Sequence, residues 1–220
     1  MNRFTLFSTT SPTNCKRIEL TDTVCIKIAF PEKLGKYGVQ DFVRERLGAY
    51  VDLESRNRCQ RIGKYDFVIM RTRMVPYAVE RDVFTGIVGR DWLYDYVLAN
   101  PKTDLRIVER LPVGKAKVVA FKKKDSILGI APRIITPYTN LSKQYVEDRQ
   151  LKYANIEYAP GETEGWVKAG LADLGIDNIN SGKTIEETGL EIIDKILDSY
   201  AVIVAKKDDV DIARKIWGLT

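Results

Sequence analysis

The chain has no histidine among its 220 residues. That removes imidazole general bases, Ser-His-Asp and Cys-His nucleophile systems, and most zinc enzymes. Cysteine is scarce as well. Cys15, Cys25 and Cys59 are the three present. Their odd number and the lack of a CxxC spacing argue against a disulfide framework or a zinc site. No apolar run approaches the ~20 residues that a membrane helix needs. The opening stretch "MNRFTLFSTTSPTNCKRIEL" lacks the apolar core of a secretory signal. Residues 1–23 are therefore expected to be an N-terminal extension, and the protein is expected to be cytoplasmic without a membrane partner. Chemistry is left to carboxylates, Lys, Arg, hydroxyls, backbone dipoles or Mg²⁺.

What is present is an ordinary globular composition, 45% hydrophobic and 30% charged. The length suits one large domain or two small ones. A net charge of +5 suits an anionic partner. Lys and Arg are dispersed, and the densest run, Lys122-Lys123-Lys124, reads as a solvated strand end. No nucleic-acid partner is expected from this pattern.

Strand and helix patterns alternate along the chain. "VCIKIAFP" (24–31) is an apolar, β-branched run ending at proline, which reads as a buried strand. "GVQDFVRERLG" follows with Val39, Phe42, Val43 and Leu47 at helical spacing. "YDFVIMRT" reads as a strand and "VPYAVERDVF" as a short helix with Pro76 at its start. "TGIVGRDWLYDYVLAN" reads as a strand, a Gly turn and a helix beginning near Asp91. "RIVERLP", "KAKVVAFKK", "NIEYAPG", "DLGIDNI" and "YAVIVAKK" read as further strands. "RIITPYTNLSKQYVEDRQL" reads as strand, turn and helix, with Thr139 or Asn140 as N-cap. "TEGWVKAGLA", "KTIEETGL" and "DDVDIARKIWGLT" supply the remaining helices. This order predicts an α/β fold with mainly parallel sheets. The echo between "VFTGIVGRDWL" and "GLADLGIDNINSG" suggests two lobes with a cleft between them.

The stretch "DNINSGKTIEETGL" (177–190) carries the sharpest chemical signal. The backbone amides of Ser181, Gly182, Lys183 and Thr184 would ring one phosphate at a helix N-terminus. Ser181 and Thr184 add hydroxyl donors, and Lys183 adds charge. Asp177 and Asn178 stand where they would bind sugar hydroxyls or a Mg²⁺ shell. The alternative is a strand-turn-helix with a hydroxyl cap and no ligand. The motif is not a Walker A loop, because Asp177 occupies the position of its first glycine.

The longer unit from "GETE" (161–164) through "GLAD" (170–173), Asp177, "SGKTI" (181–185) and "TGL" (188–190) resembles the ATP phosphoribosyltransferase family. "RIITPYTNLSKQYV" and "MRTRMVPYAVERDVFTGIVGRDWL" are similar to further segments of that family, in the same order. The resemblance runs from about Val24 to the C-terminus and is most specific at the 177–190 unit.

The resemblance implies a two-lobed fold like type II periplasmic binding proteins. It places lobe I at 24–108 and 193–220, and lobe II, with the phosphate loop, at 109–192. It implies Mg²⁺-dependent transfer of phosphoribosyl from phosphoribosyl diphosphate (PRPP) to N1 of ATP, the first step of histidine biosynthesis. Ser181, Gly182, Lys183 and Thr184 would hold the 5′-phosphate, Asp177 and Asn178 the ribose, and Glu164 would support that site. Arg71 would contact ATP or pyrophosphate, and Asp91 would face the nucleotide or cap its helix. A histidyl-tRNA-synthetase-like regulatory subunit and a homo- or hetero-oligomer are implied as partners.

The chain departs from the family at four places. "EKLG" stands for Lys-Gly-Arg-Leu, leaving Lys33 or Lys36 as substitutes for the arginine. Met74 and Phe84 each replace an Asp, and Glu162 replaces a small Ser. These changes keep two alternatives open. One is a non-catalytic phosphoribosyl- or nucleotide-binding regulatory relative. The other is a two-lobed protein that binds small anions.

Overall fold

A computed structural model describes residues 25–180, 185 and 188–219. The expected extension 1–23 and the turn Ser181–Thr184 lie outside these residues.

The first sheet is built from β1 (Ile26–Pro31), β2 (Cys59–Ile62), β3 (Tyr65–Met70), β4 (Thr85–Gly89), β5 (Leu105–Arg110) and β11 (Ala201–Lys206), in the order β2-β3-β1-β4-β11-β5. The second contains β6 (Ala116–Lys123), β7 (Arg133–Thr136), β8 (Asn155–Tyr158), β9 (Leu174–Ile179) and β10 (Leu190–Ser199), in the order β10-β6-β9-β7-β8. Helices α1 (Val39–Leu47), α2 (Val75–Arg81), α3 (Arg90–Ala99) and α6 (Val210–Ile216) pack on the first sheet. α4 (Thr139–Asp148) and α5 (Thr163–Lys168) pack on the second. Pro76 stands at the start of α2 as expected, where its missing N–H costs nothing.

The sheets are mixed rather than mainly parallel. Among the described residues four strand pairings are parallel and five antiparallel. Helical crossovers make β1, β3 and β4 parallel, and likewise β7, β8 and β9. Apart from the β2–β3 hairpin, the antiparallel pairings involve strands that leave one sheet for the other or return. β11 comes back from the second sheet and inserts between β4 and β5, against the direction of both. A strand buried on both faces reads as one apolar run in either direction, so the sequence pattern does not reveal this.

Each sheet buries side chains on both faces. Ile28, Phe30, Phe67, Ile87, Ile203 and Trp217 fill one face of the first sheet; Ala29, Val75, Val79, Val88 and Val204 fill the other. Trp217 of the C-terminal segment is fully buried, and its indole N–H donates to Thr85 Oγ1 at 3.2 Å. That hydroxyl in turn donates to the Val204 carbonyl at 2.9 Å, so no polar atom of this trio is stranded.

Two strands escape the sequence reading. β2 is a four-residue edge strand with alternating exposure, too short to stand out. β10 carries Leu190, Ile192, Ile193, Ile196 and Leu197, a helix-like spacing. Two β-bulges, between Ile192 and Asp194 and between Lys195 and Leu197, break its two-residue period. The strand boundaries therefore differ from the expected lobe limits. Glu109 and Arg110 belong to β5 of the first sheet, and 193–199 belong to β10 of the second.

The chain passes between the sheets at 111–115 and at Tyr200. The two passages are tied by backbone hydrogen bonds, Leu111 N–H to the Ala201 carbonyl at 2.9 Å and Ala201 N–H to the Val113 carbonyl at 3.1 Å. This double crossing is the floor between the lobes. No helix among the described residues is long and apolar enough to cross a membrane.

One close approach inside the second sheet is testable. Gly175 on β9 lies opposite Phe121 on β6, and a Cβ at Gly175 would stand 2.3 Å from the Phe121 ring. The ring is fully buried, so a retreat would have to displace packed neighbours. Gly175→Ala is expected to cost about 1–3 kcal/mol of stability. Urea denaturation checks this, and an unchanged midpoint would show that the ring can move.

Candidate functional site

The carboxyl ends of β1, β3, β4 and β9 converge on one cleft between the lobes, the position where open α/β sheets bind ligands. The cleft encloses about 390 Å³. Lys33, Tyr37, Thr72, Asp91 and Trp92 line it from the first lobe; Asn178 and Asn180 line it from the second, and Lys115 from the crossing. Lys33 thus occupies the cleft wall, whereas Lys36 pairs outside it with Glu54 at 3.6 Å.

Asp91 is the buried centre of the cleft floor, only 2% exposed. It does not cap α3, which starts after Gly89 without a side-chain cap. Its carboxylate accepts instead from three distant segments. Tyr138 O–H and the Asn178 side-chain amide, at 3.1 Å, both donate to Oδ2. Ser199 O–H donates to Oδ1 at 2.9 Å, and Ser199 Oγ accepts the Asp91 N–H at 3.1 Å. A buried carboxylate needs such donors to offset its lost hydration. The Tyr138 phenol is pushed well above its ordinary pKa, by burial first and by the Asp91 charge second. It therefore stays protonated and remains a donor.

Four residues along α3, Asp95 serves the other lobe. The expected cap on α4, Thr139 or Asn140, is not made; Tyr138 precedes the helix and no local side chain caps it. Asp95 Oδ1 accepts the Asn140 and Leu141 amides, each at 2.9 Å, and Oδ2 accepts the Asn140 side-chain amide at 3.2 Å. An acidic side chain from lobe I thus satisfies the orphan donors of a lobe II helix.

Asp177 sits at the end of β9, beside Asn178. Its Oδ2 accepts from Thr163 O–H at 2.8 Å and its Oδ1 from the Asn178 N–H at 2.7 Å. Burial nonetheless raises its pKa to about 6, and the nearby charges of Glu164 and Asp91 push the same way. The two hydrogen bonds pull down without cancelling that effect. Thr163 and Glu164 open α5, and the residue before them, Glu162, adopts left-handed φ of 60°. That conformation costs a non-glycine residue about 1 kcal/mol or more, held here by the helix that follows.

The structure thus brings Asp91, Glu164, Asp177 and Asn178 together. Arg71 stands apart. It is exposed at the end of β3, next to the cleft residue Thr72, and ion-pairs with no described residue. Ser181, Gly182, Lys183 and Thr184 follow Asn180 of the cleft directly in sequence but lie outside the described residues. Sequence reasoning missed Thr163, Tyr138, Ser199 and Lys115. Thr163 had a signal in its place inside "GETE", and Tyr138 in "TPYTN"; Ser199 had none.

Two α/β lobes with a polar cleft at the strand ends define a periplasmic-binding-protein-like architecture. The aliphatic sulphonate binding protein SsuA of Escherichia coli shares it at a TM-score of 0.56 and 12% identity, covering 89% of this chain and 69% of that one. The ATP phosphoribosyl transferase (HisG:HisZ) complex from Thermotoga maritima is more similar, with a TM-score of 0.73 and 23% identity, covering 86% of this chain and 92% of that one. The family model "ATP phosphoribosyltransferase" matches residues 71–218. The ATP phosphoribosyltransferase of Saccharolobus solfataricus is 32% identical over 149 residues, 64% of this chain and 49% of that protein. The chain belongs to the ATP phosphoribosyltransferase family. It spans about half the length of the Saccharolobus solfataricus and Sulfurisphaera tokodaii relatives that it matches.

The raised Asp177 pKa carries a signed prediction. The folded state holds this proton more tightly than the unfolded chain, so the charge costs stability above about pH 6 and costs nothing below about pH 4. Asp177→Asn should therefore raise the melting temperature relative to the parent at pH 8. The difference should become less favourable to the variant as pH falls through 6. Melting curves from pH 4 to 8 check this, and a difference independent of pH would refute it.

Proposed function

We propose that this chain catalyses transfer of phosphoribosyl from PRPP to N1 of ATP, releasing pyrophosphate and opening histidine biosynthesis in the cytoplasm. The observation that carries the reading is Asp177, held by Thr163 and Asn178 at the cleft edge and followed within a few residues by the Ser181–Thr184 turn, in a chain of this family.

The step forms the N1–C1′ bond with the adenine lone pair. It breaks the C1′–O bond, whose electrons leave with pyrophosphate. The leaving group is already good, so orientation and charge stabilisation carry the catalysis and no histidine is required. The amides of Ser181, Gly182, Lys183 and Thr184 would hold the 5′-phosphate. Asp177 and Asn178 would accept from and donate to the ribose hydroxyls, with Glu164 supporting that edge. Lys33 and Lys115, on the cleft wall and the crossing, are suited to receive the pyrophosphate or the ATP phosphates. Arg71 would join them from the neighbouring strand end. Asp91 is committed to protein donors, so it is assigned no nucleotide contact.

A divalent metal fits this site in a limited way. Asp177 is a carboxylate whose charge is opposed by burial and by Glu164 and Asp91, and a cation would relieve that opposition. Among the described residues no cluster of three or more acidic, Cys or His side chains stands ready to hold an ion alone. Asp177, with Glu164 beside it, would hold Mg²⁺ jointly with substrate oxygens, as this ion favours. Bound there, Mg²⁺ would neutralise charge on the departing pyrophosphate. Assembly with a histidyl-tRNA-synthetase-like regulatory subunit, into a hetero-oligomer, belongs to the same proposal. The Thermotoga complex, in which HisG is joined by HisZ, supports association with a second subunit.

The test is ultraviolet detection of phosphoribosyl-ATP from ATP, PRPP and Mg²⁺, with pyrophosphatase present, alone and with a candidate regulatory subunit. The parent should form product, and an Asp177→Ala, Thr184→Ala variant should lose at least about a hundredfold in rate. PRPP binding by calorimetry without product, with or without the subunit, would identify a binding-only relative. "EKLG" in place of the family's arginine turn is the feature that favours that reading. No PRPP binding would reduce the turn to a helix cap.

A further inference from the structure

α3 belongs to the first lobe, yet its polar face is bound to the second. Asp91 and Asp95 are one turn apart, so their side chains project from one side of the helix. Asp91 takes donors from Tyr138 and Asn178; Asp95 takes the amides of Asn140 and Leu141. Trp92, between them, packs its ring 4.4 Å from that of Tyr138, centroid to centroid. One helix face thus grips a four-residue segment, 138–141, and the end of β9. Ser199, the last residue before the chain recrosses, is bound to the same Asp91.

We propose that Asp91 and Asp95 are positioning residues that fix the angle between the lobes and aim the Asn178 amide at the cleft. The covalent link between the lobes is a pair of short crossings, which resists separation but permits rotation. α3 is bonded to the returning crossing at its first turn, through Arg90 N–H to the Tyr200 carbonyl and through Asp91 to Ser199, while its contacts to 138–141 lie away from that crossing and oppose the rotation. Their strength has a physical source. The Asp91 carboxylate is buried and would be left without donors if the lobes parted, and the first turn of α4 would lose its only described cap. Asn178 adjoins Asp177, so the same bond that joins the lobes orients a group at the proposed ribose site. The kinetic part of this proposal rests on the transferase reading; the geometric part does not.

The test uses the full chain with Cys15, Cys25 and Cys59 replaced by Ser. Spin labels at positions 50 and 153, exposed tyrosines on opposite lobes, report the interlobe distance by pulsed electron resonance. Asp95→Ala should broaden or shift that distribution, and Asp95→Asn, which keeps an acceptor for the amides, should restore most of the parental width. Asp91→Asn should broaden it too, because it turns an amide donor toward Tyr138 or Asn178. Asp95 is only partly buried, so its variants keep the idea testable even if Asp91→Asn fails to fold. In the transferase assay, kcat should fall about tenfold or more in Asp95→Ala, since small misplacement is costly, while PRPP affinity stays within about threefold. A lowered melting temperature with unchanged distances in both Asp95 variants would overturn the proposal and leave these residues as local caps. A parent without transferase activity would count against the transferase reading alone, since the distances judge the latch by themselves.

Discussion

A carboxylate out of water must be met by donors, and Asp91 is met by donors from three segments of the second lobe. Tyr138, Asn178 and Ser199 lie 47, 87 and 108 residues away in the chain. Each belongs to a different part of the second lobe: the turn after β7, the end of β9 and the end of β10. The bonds can form together only if α3 leaves β4 at the observed place and the second sheet is correctly threaded. The cost of burying this charge unpaired is several kcal/mol, comparable with the whole stability of a domain of this size. The site geometry therefore inherits its uniqueness from that constraint. The cleft exists because two sheets stop at the same level, and it has one shape because Asp91 ties their ends.

The cleft divides its charge. Its second-lobe edge carries Asp177 and Glu164, and the pKa of Asp177 is raised to about 6 by burial with these neighbours opposing further charge. The opposite wall and the crossing supply Lys33 and Lys115. A substrate with sugar hydroxyls at one end and phosphates at the other matches such a division better than a uniformly anionic one. The hydroxyls need acceptors, which the carboxylates provide; the phosphates need cations and amides. The strain at Glu162 belongs to the same arrangement, because that residue sets the start of the short helix that brings Thr163 to Asp177. The fold thus retains local costs where polar groups must converge, the usual pattern at functional sites.

Sequence and structure agree at most places where local chemistry decides, the unmade cap of α4 at Thr139 or Asn140 being an exception. The β4–α3 unit, the α2 start at Pro76 and the C-terminal helix are legible because a buried strand, a first-turn proline and a helical apolar period each act within a few residues. The family resemblance likewise reads through "GETE", "GLAD" and Asp177, which a single strand and helix hold together. What is hidden is non-local. β10 looks helical because its two bulges shift the apolar residues off the alternating rhythm, and only the facing β6 explains why Ile193, Ile196 and Leu197 still reach the core. Strand direction is invisible in a run buried on both faces. Asp91 and Asp95 look like first-turn and surface acids of one helix. Their partners lie in the other lobe, so no local pattern marks these contacts. Ser199 is the extreme case, a single hydroxyl at a strand end whose role appears only once the chain has recrossed.

The distribution of contacts between the lobes bears on how such a cleft would work. One side is closed by α3 against 138–141, and at another point Arg73 of the first lobe lies 5.5 Å over the ring of Tyr158 of the second. The first is buried and made of charge-assisted bonds. The second is exposed, where a cation–π contact contributes about 0.5–1 kcal/mol. The two are unequal by a wide margin. A ligand that draws the lobes together or apart meets little resistance from Arg73 and Tyr158 but must respect the α3 junction. With the α3 junction holding the angle between the lobes, the end of β9, where Asn178 and Asp177 sit, is held beside it. The proposed ribose site then keeps its geometry, and any adjustment falls to the exposed side chains of the phosphate-facing wall. A reaction that depends on alignment instead of on a proton-transferring histidine gains most from that placement.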